Sequence, residues 1–194
     1  MDQTQDTPAR GVQIKGSAVI DAIRSVRTRE GEQRFRDLVA LVDEPFRTMF
    51  LSELFDAAWY PLDAYVAFLA ASLKYSGDDE TVLTARSEAV IEGQLRGIYR
   101  VFVRLKSPES IIKRIVTIHR TYFTGASVGF DLPTPGRAIV KYSGFEKHHR
   151  LLEYVIIGFY RKALELCGAK HVQVIVTVPI AQGGGSCELT ITWR

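Results

Sequence analysis

The pattern of hydrophobic and polar residues is clearest in the last third of the chain. A β-rich run bounded by glycines, Gly136 to Gly144, precedes a segment with apolar residues at helical spacing, Phe145 to Cys167. From His171 to Ile180 the apolar residues alternate with polar ones, as in a strand with one buried face. A Gly-rich turn then leads to a second alternating run, Cys187 to Trp193. The pattern predicts a β-α-β-β module.

The first two thirds of the chain show apolar stripes at helical spacing and predict about six helices. The longest runs from Glu80 to Leu105, and Ser107 followed by proline marks the start of another that ends near Phe123. Two stretches, Asp56 to Pro61 and Gly125 to Pro135, are predicted as a loop and as an irregular link or partial strand. The predicted fold class is α+β, with helices followed by a small, mainly antiparallel sheet.

Composition limits the class of protein further. With 194 residues, 46% of them hydrophobic, the chain suits one domain, which we place at residues 11–194 after a polar tail at residues 1–10. The net charge is only +3, and the basic residues are spread along the predicted helices, so nucleic-acid binding is not expected. The chain has two cysteines and shows neither a signal peptide nor an apolar run long enough to span a bilayer. We expect a cytoplasmic protein that does not insert into membranes.

A basic run opens the predicted C-terminal helix. Free N–H groups and the positive end of the helix dipole would favour an anion such as phosphate there. The alternative is a solvated basic first turn. The candidate anion-binding residues are Lys147, His148, His149 and Arg150.

Cys167, His171 and Cys187 offer the residue types of a zinc site within the predicted module. The strand alternation, however, places Cys187 on the inward face and His171 on the outward one. A buried, unreactive Cys187 is the simpler interpretation, and we expect no metal site. The triglycine Gly183 to Gly185 joins two strands, which indicates a hairpin turn and not a nucleotide-binding loop. Because no Ser-His-Asp arrangement is present, we expect no catalytic residues and no enzyme activity.

Short motifs along most of the chain resemble a known superfamily. It contains haem-nitric-oxide/oxygen (H-NOX) domains, 4-vinyl-reductase-type domains and the vesicle-tethering TRAPP subunits. Within it the chain is most similar to a bacterial domain-of-unknown-function family that is expanded in myxobacteria. The motifs are Lys15-Gly-Ser17, Trp59-Tyr-Pro-Leu62, Tyr99-Arg-Val-Phe102, Ser107-Pro-Glu109, Tyr122-Phe-Thr-Gly125 and Gly185-Ser-Cys-Glu-Leu-Thr-Ile-Thr-Trp193.

The chain also departs from the better-known relatives. H-NOX domains bind haem through a histidine on a helix and hold its propionates with a Tyr-x-Ser-x-Arg motif, which the pair Tyr142-Ser143 does not reproduce. The 4-vinyl-reductase-type domains have a cysteine on each side of the Gly-rich turn, whereas here only Cys187 is present. The resemblance therefore carries no two-cysteine metal site to this chain.

The resemblance implies a cavity among the helices, where relatives hold haem or an acyl chain. The alternative for these aromatic residues is plain core. The candidate pocket residues are Trp59, Tyr65, Tyr99, Phe102, His119, Tyr122 and Phe123.

Two functions follow from the resemblance. The first is a non-enzymatic binding or sensory module without a cofactor, which acts through protein contacts with a partner or as a homodimer and takes a small apolar ligand in the pocket. Gly93 and Gly97, four residues apart on one helix, would permit a close helix contact. The alternative is a haem-based gas sensor with His119 as the axial ligand.

Overall fold

The computed structural model describes residues 11–96 and 107–194. The predicted tail at residues 1–10 lies outside them, as does the end of the helix predicted from Glu80 to Leu105. Seven α-helices and one short 3₁₀ helix, Lys147–Leu151, occur in the described ranges. The α-helices are α1 (Gly16–Glu30), α2 (Glu32–Ala40), α3 (Phe46–Leu51), α4 (Leu62–Tyr75), α5 (Thr81–Arg96), α6 (Pro108–Tyr122) and α7 (Leu152–Leu166).

Two antiparallel sheets accompany the helices. The smaller has three short strands in the order β2-β1-β3, and the larger has four in the order β4-β5-β7-β6. The strands are β1 (Gln13–Lys15), β2 (Trp59–Pro61), β3 (Phe123–Thr124), β4 (Ser127–Thr134), β5 (Arg137–Ser143), β6 (Gln173–Val178) and β7 (Ser186–Thr192). The order β5-α7-β6-β7 is the predicted C-terminal module, and the α+β fold class is confirmed.

One face of the larger sheet forms part of the core. Along the central strands β5 and β7, buried side chains stand opposite one another in register, while the residues between them point to the other face. The buried pairs are Ala138 with Ile191, Val140 with Leu189, and Tyr142 with Cys187.

Helix α6 begins with the predicted cap. The Ser107 side chain accepts a hydrogen bond from the Ser110 backbone N–H at 3.2 Å, and Pro108 occupies the first turn. One stripe of the helix is buried and its other side is polar, which is typical of a helix packed on a core. The buried residues are Ile111, Ile112, Ile115, Val116 and His119. The helix therefore directs a histidine into the interior of the protein.

Helices α5 and α7 approach closely at Gly158. A Cβ atom at this position would lie 2.5 Å from the Thr84 carbonyl oxygen, so no larger residue fits without displacing backbone. The Ser87 hydroxyl reinforces the contact by donating to the Val155 carbonyl at 2.6 Å. The glycine that allows close helix packing is therefore in α7.

Some predictions of local structure need correction. Among the described residues, no atom outside the local helix backbone would lie within 4 Å of a Cβ atom added at Gly93, so this glycine makes no close helix contact with them. Gly97 lies outside the described residues. Trp59–Pro61 is a strand and not a loop. Of the two alternatives predicted for Gly125 to Pro135, an irregular link or a partial strand, the strand is present, at Ser127–Thr134. No helix in the described ranges is long and apolar enough to cross a membrane.

Candidate functional site

An apolar cavity lies among α1, α4, α5, α6 and α7. Its volume is about 110 Å³. Four of the predicted pocket residues line it, namely Tyr65, His119, Tyr122 and Phe123. Trp59 is not part of the lining and lies under the Lys15 ammonium group, and Tyr99 and Phe102 lie outside the described residues. The other apolar walls include Ile14, Val26, Phe68, Leu69, Leu83, Ile91, Leu152, Val155, Ile156 and Phe159.

His119 is the buried histidine of this cavity, with 7% of its surface exposed. Its Nδ1 atom is hydrogen-bonded to the Tyr142 hydroxyl, which lies 3.2 Å from the Tyr160 hydroxyl. The Phe159 ring contacts the imidazole edge-on, with 4.6 Å between ring centroids. Helices α6 and α7 and strand β5 thus hold the imidazole in one orientation.

Burial controls the protonation of this group. Removal from water lowers the pKa of His119 to about 3, because the charged imidazolium loses its hydration. The same cause raises the pKa of Tyr142 and of Tyr160 above the usual phenol value. At neutral pH all three groups are therefore uncharged, and His119 is a neutral imidazole as a metal or haem ligand requires.

The hydrogen bond at Nδ1 decides what the other ring nitrogen can do. When Nδ1 donates its proton to the Tyr142 hydroxyl, Nε2 carries a lone pair and is available as a ligand atom. Tyr142 can then donate its own proton to Tyr160. The three side chains form a tether of the kind that fixes the tautomer of ligating histidines.

Arg86 brings a guanidinium group to the cavity. Its Nε and Nη2 atoms donate to the Glu30 carboxylate at 2.9 and 2.8 Å. Its Nη1 atom is buried and has no hydrogen-bond partner among the described residues. A buried N–H group without a partner is costly, so this position suits an acceptor from a ligand.

Arg86 is not among the candidates predicted from the sequence. Its only signal there is its spacing, because it stands three residues after Leu83 and four before Val90, on the side of α5 that faces the cavity.

The predicted anion site has a different structure from the one expected. Residues Lys147–Leu151 form a 3₁₀ helix, and α7 starts only at Leu152. Glu146 caps the 3₁₀ helix: its carboxylate accepts the His149 backbone N–H, and its own N–H donates to His149 Nδ1 at 2.9 Å. An acidic side chain therefore already occupies the N-terminal end.

Three of the four basic side chains of this segment, those of His148, His149 and Arg150, have carboxylate partners. His148 Nε2 and His149 Nε2 lie 2.7 and 2.8 Å from the same oxygen of Asp63, Oδ1. Arg150 lies 3.4 Å from Glu80. Partial burial raises the pKa of Asp63, but hydrogen bonds and charge interactions with the two histidines outweigh it and lower the pKa overall. The four predicted residues, Lys147 included, share one segment whose histidines face a carboxylate.

The three residues weighed as a zinc site are not brought together as a ligand cluster. Cys187 is buried in the sheet, where burial raises the pKa of its thiol to about 12. The Cys167 thiol donates to the Leu164 carbonyl at 3.0 Å, and His171 is exposed. Among the described residues, the group whose donor atoms could share a metal ion contains none of these three.

The fold is similar to that of H-NOX proteins. An H-NOX protein from S. oneidensis in the Fe(II)NO ligation state has a TM-score of 0.71 and 14% identity, over 93% of this chain and 99% of that one. The Fe(II) unliganded A71G mutant of the K. algicida H-NOX protein has a TM-score of 0.70 and 12% identity, over 93% and 97% of the two chains. No protein-family model matches the sequence, and no curated protein matches it.

These similarities confirm the relation in fold to H-NOX domains. At such low identity they concern the fold alone, and the closer resemblance to the family expanded in myxobacteria stays a prediction. So do the homodimer and the protein partner. The prediction that the protein carries no cofactor is wrong on this comparison, because its structural neighbours are described in Fe(II) states and the described residues include histidine-containing sites.

The types of residue that line the cavity suit a haem. His119 offers a neutral, tethered imidazole, the walls are apolar, and Arg86 Nη1 offers a donor for a carboxylate. The H-NOX propionate motif itself is incomplete, because Gly144 and Glu146 follow Tyr142 where the motif has Ser and Arg. Among the described residues that line the cavity, Arg86 is the arginine, and it lies outside this motif.

The volume of the cavity sets a further condition on haem binding. Pockets for drug-sized ligands measure roughly 300–1,000 Å³, whereas a dry cavity of roughly 150 Å³ takes up benzene or xenon. At about 110 Å³, the cavity is large enough for a small apolar molecule without any movement of the helices. A haem requires the surrounding helices to move apart.

Proposed function

We propose that this protein is a non-enzymatic, ligand-binding sensory domain that takes a haem into the helical cavity, where His119 would be the residue that holds the iron. The observation that carries the proposal is the pairing of His119 Nδ1 with Tyr142, which leaves Nε2 for the iron. The similarity in fold to proteins described in Fe(II), Fe(II)NO and Fe(II)CO states supports it. A bound haem supplies an iron centre that can take a diatomic gas as a further ligand.

The residues of this chain have separate roles in holding such a group. His119 stays neutral because it is buried, so no proton competes with the metal at Nε2. Tyr142 and Tyr160 keep the ring in place through their hydroxyls. Phe159 and the other apolar walls exclude water, which favours an apolar macrocycle.

Arg86 would bind an acidic group of the ligand. Its guanidinium is anchored on one side by Glu30, and its remaining N–H group is buried. This donor has no partner among the described residues. A ligand carboxylate would therefore supply the missing acceptor without breaking an existing hydrogen bond. An Arg86→Met variant should therefore weaken binding of haem more than binding of an apolar probe such as xenon.

Absorption spectroscopy on protein titrated with haem tests the proposal. We expect a sharp Soret band that saturates at one haem per chain in the wild type and is lost or displaced in His119→Ala. His171→Asn is the matched control, because His171 is exposed and has a positive φ of 53°, a conformation that asparagine tolerates. This variant should bind haem as the wild type does.

Two results would contradict the proposal. One is a wild-type spectrum that shows only free haem at every ratio. The other is a Soret band that is identical in wild type and His119→Ala, which would mean that another group holds the iron. If the wild type bound xenon in the cavity but showed only free haem in its spectrum, the cavity would be assigned to a small apolar ligand.

A further inference from the structure

We propose that Asp63, His148 and His149 form a binding site for a divalent transition-metal ion such as Zn²⁺. The site lies outside the cavity and does not depend on the proposed haem. Each residue offers one donor atom, and these atoms all lie within 4.8 Å of one another. This site is not predicted from the sequence, because residues 85 and 86 positions apart give no sign there that they meet.

The distances between the donor atoms are close to those between neighbouring ligand atoms around a coordinated ion. Nε2 of His148 and Nε2 of His149 lie 2.7 and 2.8 Å from Asp63 Oδ1. Zinc holds nitrogen and oxygen ligands at about 2.0–2.2 Å, which in a tetrahedral site separates neighbouring donor atoms by roughly 3.3 Å. Each imidazole nitrogen therefore needs to move only about half an ångström away from Asp63 Oδ1 to admit the ion.

The surroundings hold one ligand firmly and leave the others accessible. The His149 side chain is 2% exposed, and its Nδ1 atom accepts the Glu146 backbone N–H. The side chains of His148 and Asp63 are 53% and 51% exposed. An ion can therefore enter from solvent, and water can complete its coordination.

The donor set favours one class of ion. Two imidazoles and one carboxylate suit zinc and its neighbours in the first transition row. Calcium and magnesium prefer sites made of oxygen ligands. We therefore expect Zn²⁺, Ni²⁺ or Co²⁺ to bind and Mg²⁺ to fail as a competitor.

One hydrogen bond opposes metal binding. Because His149 Nδ1 accepts the Glu146 N–H, the proton of the neutral ring is on Nε2, where it faces Asp63. Coordination at Nε2 moves this proton and deprives the Glu146 N–H of its acceptor. The loss lowers the affinity by roughly tenfold relative to a site with free imidazoles, since a net hydrogen bond corresponds to about that factor.

A bound ion would join two helices that line the cavity. Asp63 is in the first turn of α4, two residues before the cavity residue Tyr65. His149 is three residues before Leu152, the first residue of α7 and also a cavity residue. The metal would thus connect the start of α4 with the 3₁₀ helix that leads directly into α7.

Calorimetric titration of the tag-free protein with ZnCl₂ tests the site. We expect one Zn²⁺ per chain, with affinity reduced at least tenfold in Asp63→Asn and in His148→Ala. Both side chains are half exposed, so these variants should stay folded, which the far-ultraviolet circular dichroism spectrum checks. His171→Asn, which changes an exposed histidine elsewhere, should bind Zn²⁺ as the wild type does.

Cobalt distinguishes a defined site from surface binding. The wild-type protein loaded with Co²⁺ should show the visible absorption bands of low-coordinate cobalt, and Asp63→Asn should lose them. Zinc binding of equal affinity in the wild type, Asp63→Asn and His148→Ala would overturn the proposal. So would the absence of any Zn²⁺ binding by the folded wild-type protein at millimolar metal.

Discussion

Nδ1 of His119 on helix α6 is hydrogen-bonded to the hydroxyl of Tyr142 on strand β5, inside the core. This bond connects the helical part of the domain to its larger sheet. Because both side chains are buried and uncharged, no water competes with it. The Tyr160 hydroxyl extends the pair to α7. The contact that orients the cavity histidine is therefore also a contact between the two halves of the fold.

Removing the Tyr142 hydroxyl should destabilise the protein more than removing that of Tyr160. Tyr142→Phe leaves His119 Nδ1 buried without a partner, which costs about 1–3 kcal/mol of the free energy of unfolding. Tyr160→Phe removes one hydrogen bond but keeps the tether, so we expect a loss of about 0.5–1.5 kcal/mol. Urea unfolding of the two variants measures the difference. Equal losses would show that the tether to His119 adds nothing to stability.

The low pKa of His119 predicts a loss of stability in acid. Its pKa is about 3 in the folded protein and about 6.5 in the unfolded chain, so between these values the unfolded state binds more protons. Stability due to the neutral imidazole is complete above pH 6.5 or so and falls as the pH drops toward 3, by up to about 1.4 kcal/mol per pH unit.

A non-titrating variant isolates this effect from the other acidic groups. The free energy of unfolding of the wild type minus that of His119→Gln should decrease by about 2–3 kcal/mol between pH 7.5 and pH 4.5. Carboxylates such as Asp63 titrate in both proteins and cancel in the difference. A difference that does not change with pH would mean that His119 is not desolvated as the structure shows.

The sequence predicts the C-terminal module well because its signal is local. Alternation along β6 and β7 and helical spacing along α7 are set by neighbouring residues, and the structure has these elements in the predicted order. Strand β4 is harder to predict because Gly129 and Pro133 interrupt its pattern. It is a strand because it pairs with β5, with an irregular register between Asp131 and Thr134.

The site is predictable only where one helix carries the information. The spacing of α6 places His119 on the buried face, and that residue is a candidate from the sequence. Its partner Tyr142 is 23 residues away on a strand, and no periodicity joins a helix position to a strand position. Asp63 and His149 meet across 86 residues for the same reason. Contacts between elements follow from packing, which a single sequence does not encode in its local pattern.

Gly158 provides a direct test of the packing between α5 and α7. In Gly158→Ala the new Cβ atom would lie 2.5 Å from the Thr84 carbonyl oxygen and 2.9 Å from the Ser87 Cβ atom, so the helices must separate. Overpacking of this kind costs about 1–3 kcal/mol, more than the gain of about 0.5–1 kcal/mol from replacing a helical glycine. We expect a lower midpoint in urea and, because Val155 and Ile156 of α7 line the cavity, a changed affinity for the cavity ligand.

Gly93→Ala is the matched control, since Gly93 is a helical glycine of α5 whose added Cβ would meet no atom of another described element within 4 Å. The same substitution should here raise the free energy of unfolding by up to about 1 kcal/mol, through helix propensity alone. The opposite signs of the two changes distinguish close packing at Gly158 from a general effect of glycine replacement. If Gly158→Ala were as stable as the wild type, the two helices would not pack as closely as the structure has them, and the cavity walls on α5 and α7 would lie further apart.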